Sequence, residues 1–160
     1  MWKELIRTLG DISAAYEKIF ALGKKKHDYL VMIKMKELEP LIEEEERLVN
    51  DVHRLEGRRQ SILVKLAGSD KSLRADMTMA ELIAFAPNTL QHTLAVLHKQ
   101  LSGQVAEVVK QNEINTILAM GALDAVTKRL NQIGNAKVEP TYGKGGNDLV
   151  SHGKKFEIKA

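Results

Sequence analysis

Apolar residues recur along the first part of the chain at alternating spacings of four and three. Leu5, Leu9, Ile12, Tyr16, Ile19, Gly23, Lys26, Leu30 and Ile33 form this series. The spacing keeps one face of an α-helix apolar, so it reads as a heptad seam, interrupted at Gly23 and Lys26. It predicts a helix over about 3–34. The same rhythm returns in Leu38, Leu41, Glu45, Leu48, Val52, Leu55, Arg59, Ile62 and Leu66, with interruptions at Glu45 and Arg59. It predicts a second helix over about 37–67. At 1.5 Å per residue each helix is roughly 45 Å long. Pro40 is expected in the first turn of the second helix, where a missing N–H costs nothing. So short a connection predicts an antiparallel hairpin.

Gly68, after the last apolar position, predicts the end of the second helix. Thr78 and Glu81 have the spacing of a capping box and predict a short helix over 79–86, through Leu82, Ile83 and Phe85 and stopped by Pro87. From Asn88 a third long pattern runs to about Asn131. Leu90, Leu94, Leu97 and Leu101 keep the heptad, and the step of four to Val105 is a stutter. Val108, Asn112, Asn115, Ala119, Leu123, Val126 and Leu130 continue the seam. A helix over 88–131 is about 65 Å long. Gly103 and Gly121 are its weak points, each by about 1 kcal/mol relative to Ala. Residues 134–160 lose the periodicity and hold five of the eleven glycines, which predicts a flexible tail. The expected fold is all-α: a long antiparallel hairpin plus a third long helix in a coiled-coil-like bundle over 1–133, followed by that tail.

Composition narrows the function. Aromatic residues are only 4% of the 160, which argues against a sandwich, a barrel or an aromatic RNA platform. Cysteine is absent, which removes disulfides, thiolate metal sites and cysteine nucleophiles. The net charge of +3 is too small to imply nucleic acid by itself. Arg54, Arg58 and Arg59 share one helix, but Asp51 and Glu56 dilute them. The N-terminal residues enter a helical pattern at once, without the features of a signal peptide, and the longest uncharged stretch, Phe85 to Leu97, is too short to span a bilayer. A cytoplasmic protein is expected.

The common catalytic patterns are missing. His27, His53, His92, His98 and His152 have neither HExxH nor ExxH spacing. The Gly143–Gly146 stretch lacks P-loop spacing, and no GxSxG elbow occurs. The run Glu43 to Glu46 points in different directions on a helix and reads as a solvated face. No catalytic residue, cofactor or metal site is therefore assigned, and a non-enzymatic protein is expected.

The second half of the third long helix stands out. Ile114, Ile117, Leu118, Ala122 and Ala125 widen the apolar sector beyond the seam. Three helices of unequal length leave such a sector partly covered, so a partner's amphipathic helix fits there. The alternatives are folding back onto the hairpin or a homodimer through the same face. Asn112 and Asn115 on the seam favour register over raw stability.

Four stretches together resemble the FlgN-like flagellar export chaperones. They are the opening helix with Leu5, Leu9, Tyr16, Ile19, Leu22, Lys24 to Lys26 and Leu30; Leu38 through Glu44-Glu45 and Leu48 to Leu55-Glu56-Gly57-Arg58-Arg59; the short helix from Thr78 to Phe85; and Asn112 and Asn115 followed by Pro140-Thr141-Tyr142-Gly143. The resemblance implies a cytoplasmic helical chaperone without enzymatic activity. It implies binding of the C-terminal amphipathic helices of hook–filament junction proteins, which keeps them from associating before export, and delivery to the flagellar export gate. By the same resemblance the client-binding residues are Ile114, Ile117, Leu118, Leu123, Val126 and Leu130, and the gate-docking residue is Tyr142. A structural coiled-coil adaptor or homo-oligomer unrelated to export is the competing reading.

Overall fold

In a computed structural model, residues 1–134 are described. The tail expected from 134 onward, and Tyr142 with it, lies outside them apart from Gly134. Four helices follow in order: α1 (Trp2–Val31), α2 (Met35–Ser69), α3 (Met79–Phe85) and α4 (Asn88–Gly134). The described residues contain no strand. The all-α expectation of a long hairpin and a third long helix holds.

The first helix ends three residues earlier than its apolar rhythm suggests. Ile33 takes a left-handed conformation, φ 54°. The Ile33 N–H then donates to the Leu30 carbonyl, and the Lys34 N–H to that of Tyr29 at 2.8 Å. This is a Schellman ending, in which glycine normally occupies the left-handed position. A β-branched residue there costs about 1–2 kcal/mol, and without a glycine the stop is hidden in the sequence. Starting at Met35, α2 places Pro40 in its second turn, not the first. The missing N–H leaves the Lys36 carbonyl without its helical donor, in a stretch exposed to solvent. Nor does Gly68 end α2. The helix continues through Ser69, whose hydroxyl donates to the Leu66 carbonyl, and stops at Asp70, which turns extended and accepts from the Ser72 N–H. The α3 capping box forms as expected: the Glu81 N–H donates to Thr78 Oγ1, and the Thr78 N–H to the Glu81 carboxylate.

The central element is α1. It packs against α2 on one side and α4 on the other, while α2 and α4 make no backbone contact with each other. Consequently α1 buries more than one heptad stripe: Leu5, Leu9, Ile12, Tyr16 and Ile19 are joined by Thr8, Ser13, Ala15 and Leu22. Val52, Ile62, Leu63 and Leu66 of α2 complete the core with Leu94 and Leu101 of α4. Leu73, Met79, Leu82 and Ala86 close one end. Two breaks in the heptads meet in space. The antiparallel hairpin sets Lys26 level with Glu45, and their side chains pair at 2.7 Å, both mostly buried.

An uncovered apolar line on the last helix

The position of α4 is set by polar contacts to α1. Ser13 Oγ donates to Gln104 Oε1 at 2.7 Å, Gln100 Nε2 donates to Ser13 Oγ, and Gln104 Nε2 donates to Glu17. One further contact is deeply buried. Asn115, 2% exposed, donates from Nδ2 to the Gly23 carbonyl at 2.8 Å and accepts from Gln111 Nε2. Gly23 permits this approach: a Cβ there would lie 3.1 Å from Gln111 Cγ. The break in the α1 seam is thus the seat for α4, and Asn115 holds register as its place in the seam suggested. Ser13 pairs with residues near 102 and Gly23 with 115, so α1 and α4 run parallel.

This register decides what is covered. α1 continues only eight residues past Gly23, to Val31, whereas α4 continues nineteen past Asn115, to Gly134. The end of α4 therefore overhangs α1 by about 16 Å. Leu123 lies five turns after Val105 on the same line of the helix, and Val126 and Leu130 continue that line. In the first half of α4 the line faces α1 and is buried at Leu94 and Leu101 and half-buried at Val105 and Val108. From the level of Val31 onward no described residue buries it: Leu123, Val126 and Leu130 are 50%, 42% and 56% exposed. Ile114 and Ile117, also exposed, lie around the helix from this line by about a third of a turn or more, as does the half-buried Leu118. The six residues named from the resemblance thus fall on two faces. Met120 and Ile133, not singled out in the sequence, are exposed beside them. They lay outside the set because the heptad count skips 120 and stops at 130.

Between α2 and α4, with α1 as its floor, lies a groove enclosing about 340 Å³. Ile42 and Val49 of α2 and Val105, Val108 and Val109 of α4 form its apolar walls, with Glu45, Glu46, Asn50 and Asn112 at its edges. Near its floor, burial, with the Glu56 carboxylate adding, holds the Tyr16 phenol well above the ordinary tyrosine range. Three arginines of α2 are engaged: Arg54 with Asp51, Arg58 with Glu4 across the hairpin, and Arg59 with Glu56. Among the described residues no group of His, Asp and Glu has the arrangement of a metal cage. No described helix is long and apolar enough to cross a membrane.

A helical bundle whose longest helix carries an exposed apolar line suits a protein that binds other proteins. Comparison with known families agrees with that class. The family described as FlgN protein matches residues 1–149, most of the chain. The chain belongs to the FlgN family, whose members are flagellar export chaperones that bind flagellar substrate proteins. No curated protein and no solved structure matches it.

Proposed function

We propose that the overhanging end of α4 binds the C-terminal amphipathic helices of the hook–filament junction proteins, keeps them apart before export and presents them to the export gate in the cytoplasm. The observation that carries this reading is the line Leu123, Val126 and Leu130, half-exposed from the end of α1 onward. A client helix laid along it buries its own apolar stripe against these residues. The gain from that burial exceeds the cost of ordering the client. Ile114, Ile117 and Leu118 belong to the same client surface, on its second face. Tyr142, outside the described residues, takes the gate-docking role that the family resemblance gives it. A chaperone of this kind performs no chemical step.

Calorimetric titration with peptides from the C-terminal ends of the junction proteins of the same genome tests the proposal. Saturable binding at micromolar affinity or better is expected, abolished by Leu123→Asp with helicity unchanged and also weakened by Ile117→Asp. Unchanged affinity in both variants removes the site assignment. No binding to any peptide, with a tight self-dimer in sedimentation, favours the coiled-coil adaptor.

A further inference from the structure

The turn that joins α1 to α2 exposes apolar side chains that take no part in the core. Val31, Met32, Ile33 and Met35 are between 47% and 58% exposed. Among the described residues Ile33 is also the one non-glycine with a positive φ. Its β-branched side chain disfavours that conformation, which asparagine or glycine adopts at less cost. No described residue buries Ile33, so packing does not offset the strain. Strained residues of this kind gather at binding sites.

Register places the turn beside the overhang. Val31 follows Gly23 by eight residues, as Leu123 follows Asn115, and Asn115 is bonded to Gly23. In parallel helices the turn therefore stands level with Leu123 and Val126. It lies about 8–10 Å away, the usual spacing of packed helices. Up to this level α1 covers the face of α4 that carries Leu94, Leu101 and Asn115. Val126, Leu130 and Ile133 continue the same face and are exposed. A helix laid along them takes the place that a longer α1 would fill, so one of its ends meets the turn.

Charge selects which end. Residues 29–36 and 125–134 contain Lys34, Lys36, Lys128 and Arg129 and no acidic side chain. Asp28, Glu37 and Asp124 border these stretches, and Asp124 is engaged with Lys128 at 3.0 Å. The C-terminal end of a helix is negative and favours neighbouring cations, while the N-terminal end is disfavoured beside them. We propose that the α1–α2 turn is the end stop of the client site. Met32, Ile33 and Met35 pack against the last apolar turn of the client helix, and its C-terminal end lies against Lys34 and Lys36. The client helix then runs antiparallel to α4. The inference rests on the reading that the overhang holds a client helix, and it adds the residues that set the direction and register of that helix.

The test is calorimetric titration of the full chain with a peptide of the C-terminal helix of a junction protein from the same genome. Ile33→Asn keeps the left-handed turn and removes only the apolar side chain. Its urea midpoint is expected to rise as the strain is relieved. Its affinity for the peptide is expected to fall about tenfold, as for the loss of one buried aliphatic side chain. Unchanged affinity overturns the proposal and leaves the overhang reading standing, whereas no binding by the parent chain overturns both. Direction is read with a spin label on a cysteine added at either end of the peptide. The C-terminal label is expected to broaden the magnetic resonance signals of residues 32–36, and the N-terminal label those of 130–134. The reverse pattern, or broadening of neither segment, overturns the proposal.

Discussion

The two halves of α4 are one continuous helix with one continuous apolar seam, and they have opposite fates. In the first half Leu94 is fully buried, Leu101 is 5% exposed and Asn115 closes the contact with α1. Past Asn115 no residue of α4 is buried, and Leu123 and Leu130 on the same line are half-exposed. The side chains are of the same kind and the spacing is the same. What differs is whether another helix lies opposite, and that depends on where α1 stops. The same class of residue is therefore core at one end and exposed surface at the other.

The comparison can be broken most forcefully by equal truncations in the two halves. Leu94→Ala is expected to lower unfolding stability by about 2–5 kcal/mol, the usual cost of deleting a buried leucine. Leu123→Ala is expected to change it by less than about 0.5 kcal/mol, as for an exposed side chain. Urea denaturation followed by circular dichroism measures both. Equal losses would mean that the overhang is covered in solution. At the boundary between the halves, Asn115→Ala is expected to cost about 1–3 kcal/mol, because it removes a buried hydrogen-bonded amide that anchors α4 to Gly23. The same denaturation curve reads it. A loss close to zero would show that α4 is held by Leu94 and Leu101 alone.

A smaller effect sharpens the contrast through pH. The Tyr16 phenol is held above its ordinary value by burial and then by Glu56, so the folded state favours its neutral form. Its contribution to stability is complete below about pH 10, the ordinary tyrosine value. It is lost as pH rises above that towards the raised folded value, because the unfolded chain releases the proton first. Thermal unfolding followed from pH 8 to pH 11 should show this alkaline decline, flattened in Tyr16→Phe. An unchanged decline in Tyr16→Phe would place its cause elsewhere.

Much of the fold was legible along the chain. The heptad spacing located α1, α2 and α4, and Thr78 with Glu81 located the start of α3, because a capping box is a local interaction between residues three apart. The end of α1 was not legible. It depends on Ile33 adopting a conformation that its own side chain disfavours, and no local signal marks such a choice. The polar contacts between α1 and α4 were hidden for another reason. Ser13, Glu17, Gln100 and Gln104 look like surface residues until a second helix lies against them. Gly23, Lys26 and Glu45 stood out as breaks in a pattern, and only the packing shows what each break accommodates.

Periodicity by itself determined that this is an all-helical protein with a long hairpin and a longer final helix, because 3.6 residues per turn converts spacing directly into a face. It also pointed to the second half of α4 as unusual, since the apolar sector widens there. The tertiary structure alone decided that α4 lies parallel to α1 and apart from α2, and that it outruns α1. A repeat in the sequence states which side of a helix is apolar. The element that covers that side, and how far along it reaches, follows from the register of two helices distant in sequence, marked here by Asn115 against Gly23 and by Ser13 and Glu17 against Gln100 and Gln104.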